Sequence, residues 1–124
     1  MPILDVEAVV AEGQKLDPLL AQRLADAAAA VFGSAPGRVW VRLHPLPAAH
    51  YAENGGAAAD ADAERPVFVT VLHAHPPEGQ ARVSETALLT TALAQTIGRA
   101  AERVHVQYAP PGAGRQAFGG RLVS

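Results

Sequence analysis

The residue with the most specific chemistry in this sequence is the proline at position 2, directly after Met1. An initiator methionine before a residue as small as proline is normally removed, which would leave Pro2 with a free secondary amine. An α-amino group has a pKa of about 8, and burial lowers it because the charged form loses solvation. Such an amine can act as a general base near neutral pH. The alternative is that Met-Pro is an ordinary start without functional meaning.

A second candidate for chemistry is the pair His73 and His75, which could bind a metal ion. Two histidines at i and i+2 of a strand share a face and are suitable ligands. No carboxylate or third histidine is close in sequence, and His44 and His50 belong to other predicted elements. We therefore predict no metal site and no cofactor.

Strands and helices must position these residues, and their signals alternate along the chain. Apolar or alternating runs predict strands, and leucine and alanine at helical spacing predict helices. Asp17 with Pro18 marks the start of the first helix and Gly33 its end, while Ser84 is expected to cap a second helix that ends near Gly98. The predicted strands are Pro2–Val10, Arg38–His44, Pro66–Leu72 and Arg103–Tyr108.

The second predicted strand alternates strictly, with Val39, Val41 and Leu43 on one face. Because successive side chains of a strand point to opposite faces, the polar face carries the other members of the run. These are Arg38, Trp40, Arg42 and His44.

The two halves of the sequence share the residues that begin and interrupt their strands and helices. A proline opens the first and third strands, Glu12-Gly13-Gln14 recurs as Glu78-Gly79-Gln80, and each half ends in a glycine pair. A β-α-β unit written twice predicts an α/β fold with parallel strands inside each unit. We expect a four-stranded mixed sheet with two helices on one face. The predicted single domain, residues 1–124, comprises repeat one at 1–56, a solvated and mobile linker at 57–64, and repeat two at 65–124.

Composition excludes several classes of function. The chain has 124 residues, a net charge of −2 and no cysteine, so it has no basic footprint for nucleic acid and no thiolate chemistry. No apolar run is long enough for a membrane span, and the N-terminus does not resemble a signal peptide, which makes the cytoplasm the expected location. Aromatic residues are only 5% of the chain, so burial through oligomerisation is expected.

The order of these features resembles the tautomerase superfamily. Pro2 opens a strand, the β-α-β unit is duplicated, and residues 39–51 followed by Gly55-Gly56 are similar to the second strand and turn of that family. Glu102–Tyr108 is similar to the last long strand of members like macrophage migration inhibitory factor. The resemblance implies a homotrimer with an active site around each Pro2, near a subunit boundary, and a small carboxylate as substrate.

The same resemblance implies roles for individual residues. Pro2 would be the catalytic base, and Arg38 is the first choice for binding the substrate carboxylate, with Arg42 on the same strand face. An aromatic residue that keeps the proline dry falls on Tyr51. The pocket residues of the last strand fall on His105 and Gln107. The predicted substrate-binding set is Arg38, Trp40, Arg42, Tyr51, His105 and Gln107.

The sequence also departs from the family. Gln14 stands where many short members have an arginine, Trp40 replaces an arginine of the second strand, and Phe118 replaces the acid of the dehalogenase. We expect enol–keto tautomerisation of a small 2-hydroxy-2-enoate or 2-oxo acid, which needs only a base and an anion-binding cation. The alternatives are decarboxylase or hydratase chemistry with a cationic Pro2, a non-catalytic binding module on this fold, and a ferredoxin-like regulatory domain.

Overall fold

The architecture is a single mixed sheet with both helices on one side. The computed structural model describes residues 1–56 and 61–124. The main strands are β1 (Ile3–Val10), β2 (Trp40–Pro47), β3 (Val67–Leu72) and β4 (Val104–Tyr108), and the helices are α1 (Leu20–Phe32) and α2 (Gly79–Ile97). A separate short hairpin consists of β5 (Ala117–Phe118) and β6 (Arg121–Leu122).

Strand order confirms the predicted duplication. The sheet runs β2-β1-β3-β4, with β1 and β2 parallel and β3 and β4 parallel. The two β-α-β units meet where β1 and β3 pair in antiparallel fashion, with Ile3 opposite Leu72 and Glu7 opposite Phe68. The first residues of β1 therefore lie beside the last residues of β3.

The hydrophobic core lies between the sheet and the helices. Alternate residues of β1 and β3 point toward α1 and α2, as period-2 strands require. The buried side chains include Leu4, Val6, Val69, Val71, Leu24, Ala28, Leu89 and Leu93. No helix among the described residues covers the other face of the sheet, which carries the partly exposed aromatic side chains of Trp40 and Phe68.

Both helices end where the sequence predicts, but they begin at residues other than the predicted ones. Gly33 and Gly98 close the helices with φ of 64° and 77°, a conformation that glycine adopts without a steric penalty. The carboxylate of Asp17 accepts a hydrogen bond from the Leu19 amide at 2.8 Å, in the turn just before α1. The prediction that Ser84 caps α2 is wrong, because the helix already begins at Gly79, with Glu78 at its N-cap.

Strand β2 is longer than the sequence suggested and includes Pro45 and Pro47. It is an edge strand that pairs only with β1, and Ala8 lies opposite Pro45. An edge strand tolerates proline because its outward amide has no ladder partner to lose.

The predicted mobile linker, residues 57–64, is only partly described. Residues 57–60 lie outside the described residues. The remainder contains a 3-10 turn at Asp62–Glu64, which is exposed as expected. The turn is nevertheless held to the body of the protein, because the Ala63 carbonyl accepts a hydrogen bond from the Ala100 amide at 2.7 Å.

Neither helix in the described part of the chain combines the length and hydrophobicity that a membrane span requires.

Candidate functional site

Pro2 is buried at the beginning of β1, which is the most protected strand of the sheet. Its carbonyl accepts a hydrogen bond from the Trp40 amide at 3.1 Å, so β2 fixes it on one side. On the other side, the pairing of β1 with β3 ends one residue later in the chain, at Ile3 and Leu72. The main chain at position 2 is therefore hydrogen-bonded to β2 and lies just outside the β1–β3 ladder.

A cation lies close to this end of the chain. Arg38 is an exposed residue just before β2, and its charge acts on the α-amino group of Met1. The pKa of that amine is lowered, first because burial disfavours the ammonium and second because the Arg38 guanidinium repels it. The Met1 amine is thus shifted toward its neutral form.

Arg42 lies further along β2 and already has a partner. Its Nε and Nη2 donate to the Asp5 carboxylate at 2.6 and 2.7 Å, in the bidentate geometry that makes strong pairs. The pair also raises the pKa of Arg42. Within the protomer, the charge of Arg42 is directed to Asp5 rather than to an open site.

Trp40 joins the sheet to the C-terminal hairpin. Its ring stacks on Phe118 of β5, with centroids 4.9 Å apart. Because Trp40 is paired with Ile3, this aromatic pair lies on the open sheet face next to the start of β1. Phe118, the residue that replaces the acid of the dehalogenase, therefore lies near the end of the sheet that holds Pro2.

Tyr51 and His105 lie at the opposite end of the sheet. Both rings are close to Phe68, with centroid distances of 5.8 and 5.3 Å. Tyr51 donates to Glu53 at 2.7 Å, and this hydrogen bond raises the pKa of Tyr51. Glu53 also accepts from Arg103 at 2.9 Å, and its own pKa is lowered by the two donors.

Gln107 lies between the two ends. Its amide donates to Thr70 at 2.8 Å, and Thr70 pairs with Asp5 in the middle of β1. Phe68 pairs with Glu7, so about four residues of strand, or roughly 13 Å, separate the Tyr51 end from Ile3.

The predicted site residues thus form two groups within one protomer. The structure brings Pro2, Arg38 and Trp40 to one end of the sheet, and Tyr51 and His105 to the other. Arg42 and Gln107 lie between them on the open face.

Sequence reasoning missed a polar cluster on the covered face of the sheet. The Tyr108 hydroxyl donates to Glu85 Oε2 at 2.6 Å, and His73 Nε2 lies 3.0 Å from the same oxygen. Burial, followed by the hydrogen bond to Glu85, raises the pKa of Tyr108 to about 12. The edge of the His73 ring packs against Phe32 at a centroid distance of 5.0 Å. One signal was available: Tyr108 shares a strand face with Val104 and Val106, so its hydroxyl needed a buried partner.

The idea that His73 and His75 share a strand face is wrong, because β3 ends at Leu72. His73 turns to Glu85, and His75 Nε2 lies 3.4 Å from the Ser124 carbonyl. The described residues contain no group of three or more side chains that could hold a metal ion.

Comparison with known proteins identifies the fold. No family model matches the chain, and no match was found among curated proteins. Among solved structures, Pt0534 inactivated by 2-oxo-3-pentynoate superposes with a TM-score of 0.72 at 21% identity, over 98% of this chain and 94% of that one. A fused 4-OT symmetric trimer gives 0.73 at 19% identity, over 98% and 94% of the two chains.

A third neighbour is the macrophage migration inhibitory factor homologue from Prochlorococcus marinus, with a TM-score of 0.71 at 17% identity, over 98% of this chain and 99% of that one. These neighbours are tautomerase-superfamily proteins, and the likeness extends over nearly the full length of each chain. The chain therefore has the fold of the tautomerase superfamily.

Proposed function

We propose that this protein is a homotrimeric, cofactor-independent enol–keto tautomerase that acts on a small 2-hydroxy-2-enoate or 2-oxo acid, with Pro2 as its general base. The observation that carries the proposal is the position of Pro2, buried at the start of β1 in a tautomerase fold with the Arg38 cation nearby. Met1 must first be removed, because an amide nitrogen has no basic lone pair.

The reaction needs only one proton carrier. The neutral Pro2 nitrogen accepts the proton of the 2-hydroxyl group of the enol, so the O–H bond breaks. The resulting ammonium gives a proton to carbon 3, which forms a C–H bond and completes the 2-oxo acid. The proton that leaves the oxygen is balanced by the one added to carbon, and the enzyme returns to its starting state.

Arg38 would bind the substrate carboxylate and keep the amine basic. A guanidinium matches a carboxylate in charge and shape. The same positive charge repels an ammonium, and burial disfavours the ammonium further, as the lowered pKa of the Met1 amine illustrates. After processing, the Pro2 amine would lie one residue further along the same buried strand.

Trimer formation would complete the site. One sheet face has no helix over it, and β2 and β4 are edge strands with unpaired sides in the protomer. The solved 4-OT neighbour is a symmetric trimer. In a trimer built from the open faces, Tyr51, His105 and Gln107 of one protomer would approach the Pro2 of the next, which explains why one protomer does not unite the predicted site residues.

The experiment measures ketonisation of phenylenolpyruvate by untagged protein whose mass shows that Met1 is removed. Pro2→Ala and a variant with one extra residue before Pro2 serve as comparisons. The extended variant retains proline but converts its amine to an amide. We expect both variants to lose about 100-fold or more in rate, as loss of a general base does.

Equal rates in the processed and extended proteins would overturn the proposal. Decarboxylation or hydration by the processed protein, without ketonisation, would instead assign Pro2 the role of a cationic acid. Absence of all these reactions in the processed protein would favour the non-catalytic binding module.

A further inference from the structure

The side chain of Met1 occupies a well-defined place next to Pro2. A Cβ built on Gly112 would lie 2.5 Å from Met1 Cε, 3.3 Å from the His73 carbonyl oxygen and 3.4 Å from Leu72 Cδ1. Met1 Cε thus lies close to the backbone of Gly112, and a side chain at position 112 would require the end of the Met1 side chain to move.

The wall behind Met1 is fixed by main-chain hydrogen bonds. The amide of Gly112 donates to His73 O at 2.8 Å, that of Ala109 to Val71 O at 2.9 Å, and that of Ala113 to Ala74 O at 3.2 Å. Between these anchors, the Pro110-Pro111 pair restricts the backbone further. These hydrogen bonds hold the segment after β4 against the end of β3 and the residues that follow it.

A small cavity adjoins the place that Met1 occupies. It measures about 160 Å³, and its lining includes Leu72, Pro110, Pro111, Gly112 and Arg115. Leu72 and Gly112 border both this cavity and the methyl group of Met1. Removal of Met1 would join the two spaces into one narrow, mostly apolar cleft that begins at the Pro2 nitrogen, with Arg115 and Gln116 as the polar residues of its lining.

We infer that this cleft is the subsite for the non-reacting end of the substrate, and that it accepts an unbranched aliphatic chain such as that of 2-oxohexanoate. This inference rests on the proposed function, which it makes more specific. Met1 extends from Pro2 in two directions. Its amine feels the electrostatic repulsion of the Arg38 guanidinium, and its linear side chain ends beside Gly112. A 2-oxo acid beside Pro2 would direct its carboxylate toward Arg38 and its alkyl chain into the cleft.

Gly112 then determines which chain length fits. A methyl group at position 112 would occupy the place of the terminal atom of a long chain and leave a short chain untouched. Gly112 has no left-handed backbone conformation, and once Met1 is removed the atoms nearest the new methyl are the His73 carbonyl oxygen at 3.3 Å and Leu72 Cδ1 at 3.4 Å. Gly112→Ala should therefore fold, with a shift of a few tenths of an ångström between position 112 and the His73 carbonyl.

The test measures binding rather than turnover, by titration calorimetry with 2-oxohexanoate, 2-oxobutanoate and phenylpyruvate. Processed wild-type protein is compared with Gly112→Ala and with protein that retains Met1, produced while methionine aminopeptidase is inhibited. We expect Gly112→Ala to weaken 2-oxohexanoate about 10-fold and to leave 2-oxobutanoate unchanged, as overpacking of a filled site does. Protein with Met1 retained should bind none of the three.

Equal weakening of the short and long chains, or tighter binding of phenylpyruvate than of 2-oxohexanoate by the wild-type protein, would overturn the subsite. Binding with the expected chain-length dependence but without ketonisation would refute the tautomerase and leave the subsite standing. Ketonisation whose chain-length preference is the same in Gly112→Ala would refute the subsite alone.

Discussion

The carboxylate of Asp5 holds the guanidinium of Arg42 across β1 and β2, with N···O distances of 2.6 and 2.7 Å. Arg38, on the same side of the chain and nearer Pro2, forms no ion pair with any residue in the described ranges. The sequence placed both arginines on one strand face, with Arg38 as the first choice for the substrate carboxylate. Their partners distinguish them, because the charge of Arg42 is directed to Asp5. We therefore expect Arg38 to bind the carboxylate.

Arg38→Gln should raise the KM for carboxylate substrates about 10- to 100-fold, the range expected for loss of a charged hydrogen bond. Arg42→Gln should change KM less than threefold or so, because its charge is directed to Asp5. Steady-state kinetics measures both. Arg23→Gln is the matched control, since Arg23 pairs with Asp17 on the outer surface. A larger KM effect at Arg42 than at Arg38 would reverse the assignment.

The pH profile should report the base. Burial and Arg38 lower the pKa of the Met1 amine. We expect the Pro2 amine, which the removal of Met1 exposes in the adjoining position, to be neutral at a lower pH than an ordinary α-amine for the same two reasons. A general base is active when neutral, so kcat/KM should rise with pH and level off at an apparent pKa below about 8.

Arg38→Gln should shift this rising limb to higher pH, because the amine loses a repulsive neighbour and holds its proton longer. The measurement is kcat/KM of the processed protein and of Arg38→Gln over the neutral range. A rate that falls as pH rises through the same pKa would instead show that the charged amine is the active form.

Tyr108 should make stability decline in alkali. Its pKa is raised to about 12 in the folded protein, whereas an unfolded tyrosine ionises near 10. The folded state therefore retains a proton that the unfolded state releases, so its stability is complete below about pH 10 and falls as pH rises toward about 12. Urea unfolding over this range should show the decline in the wild-type protein and a weaker one in Tyr108→Phe.

Tyr51→Phe is the matched comparison, because the Tyr51 hydroxyl also donates to a glutamate but on the exposed face. At neutral pH, Tyr108→Phe should cost about 1–3 kcal/mol, since it removes a donor from the part-buried Glu85 carboxylate. A larger loss of stability in Tyr51→Phe would contradict the ranking of the two sites.

The open sheet face should carry the trimer contact. Phe68 is 38% exposed there, between Tyr51 and His105. Phe68→Glu should convert the trimer to monomer and abolish activity with it, because a charge would have to be buried between protomers. Mass measurement by light scattering distinguishes the states. Leu88→Glu, at a residue 60% exposed on α2, should remain trimeric, and a trimeric Phe68→Glu would refute the arrangement.

The strands and helices with a clear periodicity of hydrophobic residues were predictable from the sequence. Val39, Val41 and Leu43 defined the covered face of β2, and Gly33 and Gly98 marked helix ends because only glycine takes the left-handed conformation there without strain. The start of α2 was not predictable in the same way, since a serine capping signal at Ser84 competed with the earlier start at Gly79. The strands of the β5–β6 hairpin are too short to show an alternation of hydrophobic and polar residues.

Within the candidate site, the buried position of Pro2 before β1 was predictable, whereas the partners of the other residues were not. Pro2 is informative by itself, because its chemistry depends on a single atom at the chain start. The pairing of Asp5 with Arg42 depends on the register of two strands, and that of Tyr108 with Glu85 on the rotation of a helix. Neither relationship is written in local sequence, although the inward position of Tyr108 showed that a partner was required.

The most direct measurement of the central claim is covalent labelling by 2-oxo-3-pentynoate, the compound that inactivates Pt0534. A neutral Pro2 amine would add to the alkyne, forming an N–C bond while a proton moves to the neighbouring carbon, so the protein gains the full mass of one reagent molecule. Intact-mass and peptide analysis of the processed protein should place this adduct on Pro2, with matching loss of activity, and the extended variant should remain unlabelled. Labelling of another residue, or equal labelling of the extended variant, would contradict a free, basic Pro2.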